Sequence, residues 1–194
     1  LTKEFKKAKY TALNRAGRAA VNEVSKLIHS DYNLKMGVIK GSRRNEGKLI
    51  VSRLAFSGRA VVDVKVDPGN IELVHFAARQ KGKSGRRKKG GARQKEGVVA
   101  SVKRGQPKLY RSKDGSRGAF IAVMKSGHRG VFIRSESKQM RGKDKAAINE
   151  LFGISITGLF KRQDTKTMRV MIKTFSDRYA ERLVHEINYR MGPS

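Results

Sequence analysis

Residues 79–96 limit the fold more than any other part of the sequence, because they cannot contribute to a hydrophobic core. The segment contains nine Lys or Arg, four Gly and one Glu, and it has no large apolar residue. A stretch of this composition buries too little apolar surface to offset the entropy lost on ordering it. The core must therefore come from the sequence on either side, with the basic segment at the surface as a flexible loop or hairpin arm.

The two ends of the chain have the periodicity of amphipathic helices. Apolar residues recur at spacings of three and four over residues 5–28 and again over residues 168–191. Breaking residues after the first stripe place its end near His29 or Ser30, and Gly192 stops the second. The sequence predicts one long helix at each end.

Short segments of β-type residues lie between these helices, at 48–56, 60–66, 71–76, 98–103, 118–124 and 130–134. Asp67, Pro68 and Gly69 predict a turn, and the last two segments predict a hairpin. Residues 32–40 fit either a helical turn or an extended link, and residues 146–160 fit a loop with a short helix. We therefore expect an α+β fold. It has an antiparallel or mixed sheet of about five to seven strands, covered by the terminal helices, in a single domain spanning 1–194 with a basic arm at 79–97.

The charge balance indicates a polyanionic partner. The 45 Lys and Arg exceed the 16 Asp and Glu, giving a net charge of +29. Self-repulsion on that scale is relieved by a polyanion. Nucleic acid is the first candidate, because cations that neutralise phosphates release counterions without reading bases. An acidic protein surface is the second, and a solvated loop that only raises solubility also fits the basic segment.

The sequence has little that resembles a catalytic or metal site. It has no Cys, which excludes disulfides and Cys-ligated zinc and fits a reducing cytosol. Gly82, Lys83 and Ser84 resemble part of a phosphate loop, but that motif needs Gly where Ala77 stands. Asp and Glu are scarce, so no metal-binding carboxylate cluster is expected.

The four histidines also favour structural or surface roles. His75 and His128 have no Ser, Cys, Asp or Glu at a recognisable catalytic spacing. His185 and Glu186 lack the second His that a zinc protease requires, so they are interpreted as a surface pair. We expect no enzyme activity, no cofactor and no metal.

No apolar run approaches the roughly 20 residues that span a bilayer. The N-terminal sequence is amphipathic, with Lys3, Lys6, Lys7 and Lys9, rather than typical of a signal peptide. The sequence predicts a soluble, unexported protein with no membrane partner.

Several strings in the middle of the chain occur in a recognisable order. Residues 72–79 read ELVHFAAR before the basic segment, and residues 118–124 and 126–134 read GAFIAVM and SGHRGVFIR. Residues 148–156 then read INELFGISI. Over residues 70–160 the sequence resembles the minor tail protein Z family and related tail-completion proteins of tailed bacteriophages. It departs from the family pattern at Ile154, where that pattern has Pro.

The resemblance implies a non-enzymatic virion protein, made in the host bacterial cytoplasm and placed at the head-proximal end of the tail. It implies a subunit needed to complete the tail and join it to the head, in a ring of six copies. Other tail proteins and head–tail connector proteins would be its partners. A ring at the neck would surround the DNA channel, and the basic arm would contact DNA non-specifically through its cations: Arg79, Lys81, Lys83, Arg86, Arg87, Lys88, Lys89, Arg93 and Lys95.

The charge alone also fits a cellular nucleic-acid-binding protein of ribosomal or nucleoid type. Such a protein would bind RNA as a monomer, whereas a tail subunit would form rings. A nuclease is a third alternative, and it needs carboxylates or histidines gathered around a metal or phosphate.

Overall fold

The computed structural model describes residues 3–42, 45–81, 97–111, 118–139, 146–161 and 165–192. Within these ranges there are three α-helices: α1 (Lys3–Asp31), α2 (Met36–Lys40) and α3 (Lys166–Met191). The same ranges contain short 3-10 helices at Leu73–His75 and Thr157–Leu159. The two long terminal helices predicted from the spacing of apolar residues are confirmed.

Twelve strands lie between the terminal helices in the described part of the chain, and all but the 11-residue β10 are short. They are β1 (Gly41–Ser42), β2 (Asn45–Glu46), β3 (Leu49–Arg53), β4 (Asp63–Val66), β5 (Asn70–Glu72), β6 (Arg79–Gln80), β7 (Val98–Ala100), β8 (Lys108–Tyr110), β9 (Phe120–Val123), β10 (Arg129–Gln139), β11 (Ala146–Glu150) and β12 (Phe152–Ser155).

The strands form several small sheets rather than one sheet of five to seven strands. The pairs are β1–β2, β3–β4 and β5–β12, and the three-stranded sheets are β6–β7–β8 and β9–β10–β11. The ladders β1–β2, β3–β4, β6–β7–β8 and β9–β10–β11 are antiparallel. The α+β class is therefore confirmed, with its strands divided among several small sheets.

The chain divides into two compact units. The first contains Leu1–Ser30, Lys35–Gly69 and Ser155–Ser194, and the second contains Asp31–Leu34 and Asn70–Ile154. The single domain over 1–194 stays a prediction.

In the first unit, α1 buries a stripe of small residues. Ala8, Ala12 and Ala16 are fully buried, and alanine both favours the helix and allows close packing. A Cβ added at Gly17 would lie 2.7 Å from the Val62 side chain, so the loop before β4 lies directly against the helix. Asn14 fixes this packing, because its amide donates to Ala55 O (2.9 Å) and accepts from Ala55 N (2.7 Å).

Helix α3 ends at Gly192, as predicted, and begins at a side-chain cap that was not predicted. The Thr165 hydroxyl accepts a hydrogen bond from Met168 N at 3.3 Å, and Gly192 ends the helix with φ of +81°.

The interpretation of Glu186 as a surface residue is wrong. Its side chain is buried, and it pairs with Arg15 of α1 (2.7 Å) and with Arg190 (3.3 Å).

The predicted turn at residues 67–69 follows β4. Asp67 Oδ1 accepts from Gly69 N at 2.7 Å, and Lys48 Nζ lies 2.7 Å from Asp67 Oδ2. The hydrogen bond from Lys48, followed by that from Gly69, lowers the pKa of the Asp67 carboxyl. Thr157 Oγ1 donates to Asp67 O at 2.8 Å and holds the turn from its other side.

In the second unit, the predicted hairpin is formed by β9 and β10, which turn at Gly127 with φ of +82°. The strand predicted at 71–76 is only partly correct, because β5 ends at Glu72 and a 3-10 turn follows. Leu73 and Phe76 are both fully buried, and their spacing of three suits a helical turn. Residues 146–160, whose conformation the sequence does not decide, form β11, β12 and a 3-10 turn.

Candidate nucleic-acid interface at the base of the basic segment

Two of the nine cations predicted to face nucleic acid lie in the described part of the chain. Arg79 lies on β6 and Lys81 follows it closely, and both are exposed. The others lie outside the described residues: Lys83, Arg86, Arg87, Lys88, Lys89, Arg93 and Lys95. What the structure describes is therefore the base from which the basic segment leaves the sheet.

The base consists of two paired antiparallel strands. Arg79 pairs with Val99 and Gln80 pairs with Val98, and Lys81 N donates to Gly97 O at 2.9 Å. The chain thus enters and leaves residues 82–96 at adjacent points on one sheet. A hairpin arm requires this arrangement, because its two ends must lie side by side.

Gln80 fixes the base to a neighbouring strand. Its side-chain amide donates to Gly97 O (3.1 Å) and Ala119 O (3.3 Å), and its Oε1 accepts from Ile121 N (3.0 Å). These bonds satisfy backbone groups at the start of β9 that would otherwise lack a partner in the sheet. The sequence does not distinguish Gln80, since a Gln within a basic run resembles any other solvated polar residue.

Gly97 allows the closest approach in the base. A Cβ added there would overlap Tyr110 O, so no other residue fits without movement of the backbone. The base is therefore closely packed on its β7 side. Its strand pairing positions the backbone of Arg79 and Lys81.

Further cations surround this base on the same sheet and the loop beside it. Lys103, Lys108 and Arg111 are exposed, and Lys108 Nζ lies 5.7 Å from the centre of the Tyr110 ring. Partial burial raises the pKa of the Tyr110 hydroxyl above its ordinary value of 10. An exposed cationic surface on a sheet suits contact with phosphates, which needs no base-specific geometry.

Comparison with known proteins identifies the family. A family model described as prophage minor tail protein Z matches residues 1–191. The chain belongs to the prophage minor tail protein Z family. No curated protein and no solved structure matches the sequence significantly.

Membership of the minor tail protein Z family makes the chain a structural protein of a phage tail, located in the virion, where other tail proteins are its partners. The family resemblance over residues 70–160 is thereby confirmed and extends to both terminal helices. Among the described helices, none has the length and apolarity needed to cross a bilayer.

The same unit of this minor tail protein Z member holds a second group of polar side chains. His128 Nε2 lies 2.8 Å from Glu150 Oε1, and His75 Nε2 lies 3.3 Å from Glu72 Oε2. The hydrogen bond to Glu150 raises the pKa of His128. Glu72, His128 and Glu150 each offer one ligand atom within 4.8 Å of the others, although Asp and Glu are scarce in the sequence. The expectation that the chain binds no metal stays a prediction.

The cluster cannot be recognised in the sequence because its members come from three separate elements. Glu72 ends β5, His128 lies in the β9–β10 turn and Glu150 ends β11. Only the register of β10 against β11, which pairs Phe132 with Glu150, brings the last two together. No local spacing in the sequence contains that information.

Proposed function

We propose that this minor tail protein Z member completes the tail at its head-proximal end and makes it competent to join the head. In this proposal six copies form a ring at the neck. The basic segment at 79–97 points from each copy into the channel and contacts the genomic DNA. Connector proteins of the head and the adjoining tail proteins bind the two faces of the ring.

The paired base of the basic segment is the observation that carries this proposal. A segment with seven cations between residues 82 and 96 leaves the sheet from two adjacent strands that Gln80 and Gly97 hold in place. A fixed base lets a ring direct its segments to one side. Contacts with phosphates through such cations are independent of sequence, as DNA moving through a channel requires.

The edge of the β9–β10–β11 sheet supports ring formation. In the order β11–β10–β9, strand β9 lies at the edge. Gln80 occupies the start of this edge, whereas Val123 at its end is 65% exposed. The exposed end of an edge strand readily pairs with another chain. A head-to-tail contact of this kind closes into a ring when the rotation between copies permits it.

Electron cryomicroscopy of phage particles tests the position and orientation. The expected density is a ring of this chain at the head–tail junction, with residues 82–96 directed inward. A ring whose basic segments point outward or into a neighbouring protein would overturn the DNA contact and keep the tail-completion role. Absence of the chain from the junction would overturn both.

A charge variant tests the DNA contact separately. Lys and Arg are replaced by Gln at all seven cationic positions between residues 82 and 96. The control carries seven Gln replacements at exposed cations elsewhere: Lys3, Lys6, Arg18, Lys35, Arg53, Lys161 and Lys173. The measurement is the dependence of the DNA association constant on salt. In the first variant its log–log slope is expected to fall by about 0.9 for each phosphate that the protein no longer neutralises.

The two variants have the same net charge, so a difference between them isolates the basic segment. An equal fall in slope for both would show that DNA binding depends on total charge and not on this segment. Failure of only the first variant to produce joined heads and tails would connect DNA binding by the segment to assembly.

A further inference from the structure

Three potential metal ligands converge in the second unit, at the ends of the strands around β10. The donors are the carboxylates of Glu72 and Glu150 and the imidazole of His128, and their ligand atoms all lie within 4.8 Å of one another. A simple ion pair needs only His128 and Glu150, which are already 2.8 Å apart. Glu72 adds a second carboxylate beside this pair.

Backbone hydrogen bonds fix the two carboxylates beside each other. Leu73 N donates to Leu151 O at 3.0 Å, and Leu151 N donates to Val131 O at 2.8 Å. Glu72 directly precedes Leu73, and Glu150 directly precedes Leu151. Their side chains therefore start from backbone that is held in place before any ligand arrives.

The surroundings also fix His128 and Glu150. A Cβ added at Gly130 would overlap Glu150 Oε1, so the carboxylate occupies the space that a side chain at this position would fill. The His128 ring meets the Phe132 ring edge-on, with 6.2 Å between the ring centres. Glycine at 130 thus creates the space in which the carboxylate faces the imidazole.

The cluster is partly shielded and still accessible from solvent. The side chain of Glu150 is 19% exposed, while those of Glu72 and His128 are 35% and 38% exposed. Partial shielding strengthens attraction between a cation and the carboxylates, and the open side provides an entry path.

We propose that Glu72, His128 and Glu150 bind one divalent transition-metal ion of the zinc type. One imidazole nitrogen and two carboxylate oxygens are ligands that zinc uses at bond lengths of about 2.0–2.2 Å. Mg²⁺ and Ca²⁺ take oxygen ligands, so the imidazole favours the zinc type over them. Binding replaces the hydrogen bond between His128 and Glu150 and draws Glu72 inward, and water fills the remaining position.

The bound ion has a structural role in this proposal. It connects the end of β5, the β9–β10 turn and the end of β11, three elements that are far apart in sequence. His75, with its Nε2 3.3 Å from Glu72 Oε2, orients the first carboxylate. This inference does not depend on the position of the protein in the tail or on DNA binding.

Titration of the full chain with Zn²⁺ by calorimetry tests the site, with Co²⁺ absorption as a second measurement. The expected stoichiometry is one ion per chain, with affinity reduced at least about 10-fold in each of Glu72→Gln, His128→Gln and Glu150→Gln. Saturating Zn²⁺ is expected to raise the melting temperature of the parent chain and not that of His128→Gln.

Two controls separate this site from adventitious binding at surface residues. His185→Gln removes an exposed histidine of α3, and Glu23→Gln removes an exposed carboxylate of α1. Both are expected to bind Zn²⁺ like the parent chain. Unchanged affinity in His128→Gln, equal losses in His128→Gln and His185→Gln, or no measurable Zn²⁺ binding would each overturn the proposal. If Glu150→Gln does not fold, the two variants at more exposed positions still decide the outcome.

Discussion

Helices α1 and α3 have the same periodicity in sequence and very different burial in the structure. Helix α1 has 29 residues and buries ten of them, whereas α3 has 26 residues and buries only Thr167 and Glu186. The apolar stripe of α1 consists mainly of Ala and Val, which allow neighbouring backbone to approach closely. The stripe of α3 carries large side chains that remain at least partly exposed.

Individual apolar residues show the difference most clearly. The apolar residues Ile172, Val184, Tyr189 and Met191 of α3 are all exposed, whereas Ile28 near the end of α1 is fully buried. The spacing of apolar residues thus predicts that a helix forms, because helical geometry is local. How deeply its apolar stripe is buried depends on what packs against it.

Removing the same side chain from each helix tests this comparison with the largest expected effect. Ile28→Ala deletes a side chain that is 1% exposed, and Ile172→Ala deletes one that is 57% exposed. The first is expected to lower the free energy of unfolding by about 2–5 kcal/mol and the second by less than about 0.5 kcal/mol. Denaturant titration followed by helical circular dichroism measures both. Equal losses would show that α3 is buried as deeply as α1.

The buried carboxylate of α3 is next in expected effect. Glu186 is 4% exposed and lies 2.7 Å from Arg15 of α1, so Glu186→Ala removes a link between the two helices. We expect a loss of about 1–3 kcal/mol in the free energy of unfolding. The matched change Glu181→Ala breaks an exposed pair with Arg178 and is expected to cost about 0.2–1 kcal/mol. Similar losses for both variants would contradict a special role for Glu186.

Removing the N-terminal cap of α3 is expected to lower the free energy of unfolding less than removing the buried carboxylate of Glu186. Thr165→Ala removes the hydroxyl that accepts from Met168 N, with an expected loss of about 1 kcal/mol in the free energy of unfolding. Thr165→Ser keeps a hydroxyl and serves as the control. Because α3 has few buried residues, its melting is expected to be more sensitive to this cap than that of a deeply buried helix. An unchanged melting temperature in Thr165→Ala would contradict that.

A pH titration gives the smallest effect and concerns how α3 is held against α1. The hydrogen bond from Lys7, with a smaller contribution from Arg190 of α3, lowers the pKa of Glu4 below its ordinary value of 4.5. The stabilisation is therefore present above pH 4.5 and is lost as the pH falls through the pKa of the folded state. Glu4→Gln is expected to show a weaker decline of melting temperature with acid. Identical acid profiles for the parent chain and Glu4→Gln would show that the Glu4 carboxylate does not stabilise the contact between α1 and α3.

Much of the local structure could be predicted from residue types and spacing. Both terminal helices, the turn at Asp67 and the β9–β10 hairpin follow from nearby residues whose preferences agree with the final structure. At Leu73–His75 the sequence predicts a strand where the structure has a 3-10 turn, because a short apolar run fits either conformation. Leu73 and Phe76 are three residues apart, and this spacing indicates a helical turn only once both are known to be buried.

The candidate site could be predicted in part. The charge of the basic segment excludes it from a core, whereas the anchoring of its base by Gln80 and Gly97 depends on strands that are distant in sequence. Glu186 likewise resembles a surface residue in the sequence, because nothing within one turn of α3 indicates that Arg15 of another helix lies beside it.

By itself, the sequence determined the elements that depend on neighbouring residues, the exclusion of the basic segment from a core and the resemblance to a tail protein family. Only the tertiary structure decided how deeply each helix is buried and how the strands divide into small sheets. It also decided that Glu72, His128 and Glu150 meet. The physical reason is that helices and turns form through contacts a few residues apart, whereas burial and clustered charges require contacts between distant parts of the chain.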